Sequence, residues 1–227
     1  EFKASVPTLE KTLVGDRPER FLSRETARGH WSLTSGSTGV NTRVFWEQRA
    51  HLSSLRARYR FLDAWGVDIF DRSTMLWGDR TGLLPASQRA RSLIVRSVQD
   101  RLRRRLRLSA NRLDQTTLRS HLRRMARFRP AVLYAYSSAA YLLAREAIES
   151  GFRCKSLRLV ILTADMATPH MVETIERAFG VPAVMEYGSV ECGFLAGEYP
   201  DRLLRVREDC ALVETLPMPD GRYDIVV

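Results

Sequence analysis

The hydrophobic positions of this 227-residue chain alternate between short apolar runs and helical spacings, most clearly between residues 131 and 186. This pattern predicts, in order, a strand over 131–135, a helix from about 138 to 150, a strand over 157–163, a helix over 169–179 and a strand over 182–186. A serine at its start and Gly151 at its end delimit the first helix, and Thr168 and Pro169 begin the second. Strands that alternate with helices across short connections predict an α/β fold with a parallel sheet and right-handed crossovers.

Elements on both sides of this segment extend the prediction. Residues 47–64 carry apolar side chains at helical spacing, with Gly66 as a stop, and residues 74–77 read as a short buried strand. The predicted apolar face of this helix consists of Leu52, Leu55, Tyr59 and Leu62. Residues 203–227 alternate apolar and polar side chains around an Asp220-Gly221 turn, which predicts an antiparallel sheet.

Residues 88–129 are dominated by arginine, with the densest clusters at 101–107 and 119–129. The spacing of Leu93, Val95, Val98, Leu102 and Leu106 predicts an amphipathic helix here. A basic helix of this kind can bind nucleic acid or an anionic membrane surface. Aromatic side chains do not alternate with these arginines, so we favour a solvated helical face over a nucleic-acid interface.

Composition narrows the function classes. The chain has 36 basic and 26 acidic residues, and its net charge of +10 suits a polyanionic ligand such as ATP or coenzyme A, but also nucleic acid or an acidic partner. Its apolar fraction of 44% is ordinary for a globular protein, and no apolar run approaches the about 18 residues of a membrane span. The scattered Cys154, Cys192 and Cys210 fit a reducing cytoplasm better than a disulfide framework.

The most unusual stretch is a run of six small residues, Thr34-Ser35-Gly36-Ser37-Thr38-Gly39. Its backbone N–H groups and hydroxyls can surround one anion, and its glycines let the backbone pass close to that anion. A flexible Ser/Gly linker fits the same composition. Apolar residues flank the run on both sides, and this favours a formed loop: they are Trp31, Leu33, Val44, Phe45 and Trp46. The run is not a Walker A loop, because no lysine follows it, so a phosphate-binding loop and a linker both stay open.

The predicted sheet brings three further polar segments together. In a parallel sheet, the loops at the carboxyl ends of the strands share one edge, and ligands bind there. The loops at this edge are Tyr136-Ser137-Ser138, Thr163-Ala164-Asp165 and Tyr187-Gly188-Ser189-Val190-Glu191. The topology therefore predicts a ligand site at this edge.

Two stretches resemble motifs of a known superfamily. The run over 34–39 resembles the Thr-Ser-Gly-Ser/Thr-Thr-Gly phosphate loop of the adenylate-forming enzymes, which include acyl- and aryl-CoA ligases. Residues 186–193, Glu-Tyr-Gly-Ser-Val-Glu-Cys-Gly, resemble their Tyr-Gly-x-Thr/Ser-Glu motif. Within the superfamily, residues 135–139, 162–165 and 207–214 are most similar to the phenylacetate–CoA ligase branch and its capsule-biosynthesis-type relatives.

The resemblance implies a site for ATP and Mg²⁺. The residues that would hold the β- and γ-phosphates are Thr34, Ser35, Gly36, Ser37, Thr38 and Gly39. Arg43 stands near the position where the family often has a lysine, and it would supply positive charge to the transition state. Glu191 matches the glutamate that holds Mg²⁺, against the alternative of a solvated loop carboxylate.

The adenine and the acid substrate are placed by the same resemblance. The residues that match the adenine- and AMP-binding segments are Thr163, Ala164, Asp165, Tyr187, Gly188 and Ser189, with core packing as the alternative for Tyr187. The candidates for the acid-substrate pocket are Trp77, Gly78, Tyr136 and Ser137, although Trp77 would fit the core equally well. Val190 stands where the family usually has Thr or Ser, so one contact to phosphate or AMP should be missing.

Two other kinds of chemistry are not expected. Some phenylacetate-ligase relatives carry a Cys/His zinc site near the segment that matches residues 196–205. Here Tyr199 stands at an expected cysteine position and no histidine is nearby, so we expect no zinc site. Cys192 lies beside Glu191 but has no histidine partner in sequence, and we expect a packed thiol rather than a nucleophile.

These implications describe an adenylate-forming ligase. It would activate a small carboxylic acid as an acyl-adenylate, release pyrophosphate, and transfer the acyl group to CoA, a carrier-protein thiol or an amine. The alternative is a non-catalytic relative that keeps the fold as a binding or assembly subunit. The resemblance also implies a possible homodimer.

We expect the chain to be a fragment that is poorly active alone. The family's ribose-binding aspartate and catalytic lysine lie beyond residue 227, and the chain stops within a predicted strand. The expected organisation is an α/β nucleotide-binding core over 1–200 and the start of a β subdomain over 201–227.

Overall fold

A computed structural model describes residues 11–23, 25, 28–34, 42–78, 86–209, 211–219, 221 and 223–226. The helices are α1 (Lys11–Asp16), α2 (Gln48–Ala64), α3 (Ala86–Leu102), α4 (Gln115–Phe128), α5 (Ser137–Glu149) and α6 (Pro169–Phe179), with one 3-10 turn at Pro18–Phe21. The strands are β1 (Gly29–Leu33), β2 (Arg43–Glu47), β3 (Ser73–Trp77), β4 (Arg105–Ser109), β5 (Val132–Tyr136), β6 (Leu159–Thr163), β7 (Ala183–Ser189), β8 (Gly193–Glu198), β9 (Leu204–Val206), β10 (Glu214–Pro217) and β11 (Tyr223–Val226).

The chain divides into two compact units, each described by itself below. Unit 1 takes the described residues within Glu1–Arg58, Gly188–Ala196 and Val206–Val227. Unit 2 takes those within Tyr59–Tyr187 and Gly197–Arg205. The domain boundary expected near residue 200 stays a prediction.

Seven strands form one sheet in the order β4-β3-β5-β6-β7-β8-β9. β3 pairs in parallel with both β4 and β5, β5 pairs with β6, and β6 pairs with β7. The strands β10 and β11 form a separate antiparallel pair, and Gly221 lies between them at a φ of 80°. The α/β fold with a mostly parallel sheet and an antiparallel tail is therefore confirmed.

The apolar core of unit 2 lies on one face of the parallel sheet. Alternate residues of a strand point to the same face, so Leu76, Leu108, Leu133 and Leu162 share this side and are almost fully buried. The same core takes in buried residues of α4, α5 and α6, including Met125, Leu143 and Ile175. These three helices cover the apolar strands that the sequence predicts.

The ends of α6 are formed as predicted. The Thr168 hydroxyl accepts a hydrogen bond from the Met171 backbone N–H at 3.3 Å, and Pro169 occupies the first turn. Gly180 follows the helix at a φ of 70°, a left-handed conformation that glycine adopts without steric cost.

The arginine-rich segment is not one amphipathic helix, and this prediction was wrong. Leu106 lies in strand β4, which follows α3 after a turn in which Arg104 has a φ of 49°. The period-two alternation of Arg105-Leu106-Arg107-Leu108 is typical of a strand, and β3 supplies the pairing partner. In addition, the apolar residues of α3 stay exposed.

Two further local predictions need correction. Helix α2 buries Ala57 and Phe61 rather than the predicted face, since Leu52 and Tyr59 are exposed. Strand β7 was expected to end at residue 186, but it continues to Ser189, so the Tyr187-Gly188-Ser189 segment lies on a strand. Strand β8, which the sequence did not predict, follows directly after Cys192.

Candidate functional site

Asp165 connects two of the predicted loops at the carboxyl edge of unit 2. Its carboxylate accepts hydrogen bonds from the backbone N–H groups of Ser137 at 2.6 Å and of Ser138 at 3.0 Å. The Ser137 hydroxyl donates in return to the Asp165 carbonyl at 2.7 Å. The carboxylate thus occupies the amino end of α5, where unsatisfied N–H groups and the helix dipole favour a negative charge.

This arrangement corrects the predicted serine cap of α5. The helix begins at Ser137, and the N-cap position is Tyr136, whose side chain makes no capping hydrogen bond. Asp165, 28 residues further along the chain, supplies the acceptor instead. A sequence argument looks for the cap beside the helix, so it could not identify a residue that only the sheet brings there.

The turn after β6 is held in an unusual backbone conformation. Ala164 has a φ of 71°, which costs a residue with a Cβ about 1–2 kcal/mol. The hydrogen bonds of Asp165 fix the position that follows it, and Thr163 before it is buried. The backbone expected to line adenine is therefore a fixed turn, while its contact with adenine stays a prediction.

Aromatic side chains cover the opposite face of the sheet at the same edge. The ring of Trp77 lies 4.1 Å from that of Tyr136 and stacks on Tyr134 at 5.5 Å. The Tyr134 hydroxyl donates to the Glu186 carboxylate at 2.8 Å. Gly78 lies beside Tyr136, since a Cβ placed on it would be 3.5 Å from the Tyr136 hydroxyl.

The structure therefore brings three of the four acid-pocket candidates together: Trp77, Gly78 and Tyr136. Ser137 is fully buried and bonded to Asp165. Sequence analysis missed Tyr134 and Glu186. The two-residue spacing of Tyr134 and Tyr136 was the available signal, because it places both rings on one face of β5.

In unit 1, a tight turn between β7 and β8 carries the predicted metal ligand. The Ser189 hydroxyl accepts a hydrogen bond from the Cys192 N–H at 3.0 Å, which closes the turn. Glu191 is exposed on it. The Val190 carbonyl accepts from the Trp46 indole N–H at 2.8 Å, so an aromatic residue that follows the small-residue run anchors this turn.

Two glycines allow this turn to pack closely. A Cβ atom on Gly188 would overlap the carbonyl oxygen of Gly193. Gly193 has a φ of 72°, and a Cβ there would meet the side chains of Ser54 and Trp46. The Tyr-Gly…Glu-Cys-Gly pattern thus has a local steric cause that is independent of any ligand.

The environment of Cys192 fits a packed thiol. Burial raises the pKa of this thiol, the Ser189 hydrogen bond opposes this with a smaller effect, and the nearby Glu191 charge adds a still smaller increase. A raised pKa reduces the thiolate fraction that a nucleophile needs. Tyr187, by contrast, is 45% exposed at the end of unit 2, so it is not a core residue.

The small-residue run stands in the sequence between strands β1 and β2. Strands β1 and β2 pair in register from Gly29–Glu47 to Leu33–Arg43. Thr34 and Thr42 close the base of the loop, with the Thr34 N–H bonded to the Thr42 carbonyl and the Thr42 N–H bonded to the Thr34 hydroxyl, both at 2.9 Å. Residues 35–39 lie outside the described residues, so their phosphate contacts stay a prediction.

Arg43 begins strand β2, and its guanidinium contacts two neighbouring side chains. Its guanidinium lies 4.6 Å from the centre of the Trp31 ring and 3.3 Å from the Glu19 carboxylate. The side chain is half exposed, so the cation remains accessible to solvent. This placement agrees with a role in attracting phosphate, although its catalytic role stays a prediction.

No three His, Cys, Asp or Glu side chains in the described part of the chain are grouped so that they could hold a metal ion. None of the helices in this part combines the length and the apolar character that crossing a membrane requires.

No protein-family model and no curated protein sequence matches this chain. Solved structures do match. The 2-hydroxyisobutyryl-CoA ligase, in an open conformation with 2-HIB-AMP and CoA, superposes with a TM-score of 0.62 at 18% identity over 87% of this chain and 46% of the ligase. The anthranilate CoA ligase AuaEII, in complex with anthranoyl-AMP, gives 0.56 at 16% identity over 85% of this chain and 36% of AuaEII.

A third similar structure belongs to a different type of synthetase. The amide bond synthetase McbA from Marinactinospora thermotolerans gives a TM-score of 0.53 at 21% identity, over 76% of this chain and 31% of McbA. The chain therefore has the fold of adenylate-forming ligases. It spans less than half the length of each of these three proteins.

Proposed function

We propose that this chain is the nucleotide-binding part of an adenylate-forming ligase. The activity would be the ATP-dependent conversion of a carboxylic acid to an acyl-adenylate with release of pyrophosphate. The observation that carries the proposal is the position of two motifs on this fold. The Thr-Ser-Gly-Ser-Thr-Gly run stands in the sequence between the paired strands β1 and β2, and the Tyr-Gly-Ser-Val-Glu motif covers the end of strand β7 and the turn that follows it.

The reaction needs positive charge and hydrogen-bond donors. The substrate carboxylate attacks the α-phosphorus, the bond to pyrophosphate breaks, and negative charge develops on the phosphoryl oxygens. The backbone N–H groups and hydroxyls of residues 34–39 would bind the β- and γ-phosphates. Arg43 would add a cation beside them, held by Trp31 and Glu19.

The adenosine part would lie against the fixed turn of Thr163–Asp165 and the exposed ring of Tyr187. Two observations support this: the left-handed Ala164, and the Asp165 bonds that leave the backbone of the turn rigid. The Asp165 carboxylate is occupied by α5, so any contribution of this segment to adenine binding would come from backbone groups.

Glu191 would hold Mg²⁺, which neutralises phosphate charge when bound. Mg²⁺ commonly binds proteins through one or two carboxylates together with substrate phosphates. A single exposed glutamate on a turn closed by Ser189 and Cys192 fits that mode, so a dedicated cage of side chains is not required.

The proposal extends to the acceptor of the acyl group and to the branch of the superfamily. We infer transfer of the acyl group to CoA or to another thiol or amine. On the motifs over 135–139, 162–165 and 207–214, the branch would be that of the phenylacetate–CoA ligases. A homodimer in a reducing cytoplasm completes the proposal.

The decisive experiment is calorimetric titration of the chain with ATP and Mg²⁺. We compare it with Glu191→Ala and with Glu173→Ala, a control that removes an exposed carboxylate from α6. We expect Mg²⁺-dependent binding that weakens about tenfold or more in Glu191→Ala and is unchanged in Glu173→Ala.

A folded chain that binds no ATP, in this form and within the complete protein, would overturn the proposal. ATP binding without any pyrophosphate exchange by the complete protein, across a panel of acids, would instead support the non-catalytic alternative.

A further inference from the structure

Helix α3 directs a largely polar face toward the sheet of unit 2. Its residues Leu93, Arg96, Ser97 and Asp100 follow the i, i+3, i+4, i+7 spacing of one helix face and line a cavity of about 310 Å³. The large apolar residues of the helix are all exposed, Leu93 in the cavity wall as well as Ile94, Val95, Val98 and Leu102 outside it. Ordinary amphipathic packing would bury the apolar stripe, so the polar lining of this cavity needs an explanation.

The cavity begins at the proposed acid pocket. Trp77 and Gly78 form part of its wall, together with residues of β4 and with Arg124 of α4. Trp77 is in register with Ser109, and Met75 with Arg107, so the second pair lies two residues back along the strands. That spacing puts Arg107 about 7 Å deeper than the Trp77 end.

An ion pair forms the deep end. The Arg107 Nε donates to Asp100 Oδ2 at 2.6 Å, and an Arg107 Nη lies 3.5 Å from the Met75 sulfur. The Asp100 side chain is only 14% exposed. Asp100 and Arg107 compensate each other's charge at this end, while Arg96 and Arg124 also line the cavity.

One atom of this pair still lacks a donor. Asp100 Oδ1 is buried and has no hydrogen-bond partner among the described residues. Buried polar atoms are nearly always hydrogen-bonded, and a carboxylate oxygen is among the costlier ones to leave without a donor. A hydroxyl or amino group on a bound ligand would supply it.

We propose that this cavity binds the acyl part of the acid and selects carboxylic acids with a hydroxyl or amino donor remote from the carboxylate, which Asp100 accepts. The inference rests on the proposed function, because Trp77 and Gly78 belong to the pocket inferred there. Aryl acids are suitable probes, since the ring of Trp77 forms part of the cavity wall.

The test is calorimetric titration of the chain with five acids. Benzoate has no donor, para-hydroxybenzoate and para-aminobenzoate have a remote one, ortho-hydroxybenzoate has one beside the carboxylate, and terephthalate has a second anion. We expect both para acids to bind at least about tenfold more tightly than benzoate and ortho-hydroxybenzoate. Comparison of the two para acids distinguishes a hydroxyl from an amine.

Two variants link the preference to Asp100. Asp100→Asn keeps an acceptor for Arg107 but loses the charge, and Asp100→Ala removes both oxygens. We expect the ratio between para-hydroxybenzoate and benzoate affinities to fall toward one in both variants. Gln99→Ala changes an exposed neighbour on the same helix, so we expect the wild-type ratio there.

Four outcomes would overturn the inference. Two of them are equal affinities for all five acids and no binding of any of them. Tightest binding of terephthalate would mean that the arginines of the cavity determine the selectivity. A preference that survives in folded Asp100→Ala would mean that water donates the hydrogen bond to Asp100. Titration with ATP distinguishes a failure of the cavity assignment from a failure of the proposed function. Retained ATP binding with lost acid selectivity refutes only the cavity assignment, whereas selective acid binding without ATP binding refutes only the adenylation proposal.

Discussion

Helices α3 and α4 are both arginine-rich, and both have an apolar stripe in sequence, yet they differ in the face that they turn toward the sheet. α4 packs Leu118, Leu122 and Met125 into the core of unit 2 and leaves its arginines exposed. α3 leaves Ile94, Val98 and Leu102 exposed and lines a cavity with Arg96 and Asp100. Both helices thus have apolar residues at helical spacing, but the surface that each helix packs against is different.

The difference lies in what each helix meets. α4 covers a sheet face on which Leu108, Leu133 and Leu162 are buried, so hydrophobic burial selects its apolar stripe. α3 lies along β4, where Arg107 is paired with Asp100 of the helix itself. The polar face of α3 carries this ion pair, and the apolar stripe is exposed to solvent in the described part of the chain.

The largest effect is expected in the core of α4. Met125 is fully buried, so Met125→Ala should lower the free energy of unfolding by about 2–5 kcal/mol through lost burial and a cavity. Urea denaturation measures the change. Met125→Leu conserves volume and should cost less than about 1.5 kcal/mol. Equal losses in the two variants would contradict tight packing of α4.

An intermediate effect on stability is expected from the ion pair between α4 and α5. Arg119 donates to Glu146 at 2.6 Å, and Glu146 is only 4% exposed. Arg119→Ala would leave that carboxylate without its cation, and because Arg119 is half exposed we expect a loss of about 1–3 kcal/mol. A double-mutant cycle with Glu146→Ala measures the coupling. A coupling energy of zero would show that water replaces Arg119.

The amino end of α4 should respond to pH. The hydrogen bond from the Thr117 backbone N–H lowers the pKa of Asp114, and the Arg112 charge acts in the same direction. A lowered pKa stabilises the folded state above the unfolded value of about 3.9, and this contribution is lost as the pH falls through the folded value. Asp114→Asn keeps the cap without titrating.

We therefore expect the stability advantage of the wild type over Asp114→Asn to shrink as the pH is lowered from about 5. Thermal unfolding at a series of pH values measures it. An advantage that does not change with pH would remove the charge from the explanation and leave only the cap geometry.

The smallest effect is expected on the outer face of α3. Ile94 is 66% exposed, so Ile94→Ser should change the free energy of unfolding by less than about 0.5 kcal/mol. Urea denaturation under the same conditions as for Met125→Ala gives a direct comparison of the two helices. A loss above about 2 kcal/mol would mean that the apolar stripe of α3 is buried in solution, and the contrast with α4 would disappear.

Much of the fold follows from local sequence signals. The strands β5 and β6 are apolar runs, α6 has Thr168, Pro169 and Gly180 at its ends, and Gly221 precedes the last strand. Each of these signals acts within a few residues. The errors arose where the partner was distant, as at β8, at the buried face of α2 and in the strand that contains Leu106.

In the candidate site, too, some residues were predicted from the sequence and others were not. Trp77, Gly78 and Tyr136 were predicted from the resemblance to the adenylate-forming enzymes, and the structure brings them into one group. Tyr134, Glu186 and Asp100 were not predicted, because each acquires its role through a residue on another element. Their spacing along the chain carries no information on these contacts.

For this protein, sequence alone specifies the parallel α/β core, the caps of α6 and the two polar motifs, because propensity, capping and turn chemistry act between neighbouring residues. Tertiary structure alone specifies that Asp165 caps α5, that α3 turns Asp100 inward, and that Gly188 and Gly193 must lack a Cβ. These features depend on groups that the sheet brings together, and the energy of a hydrogen bond or a steric overlap exists only once both groups are in place.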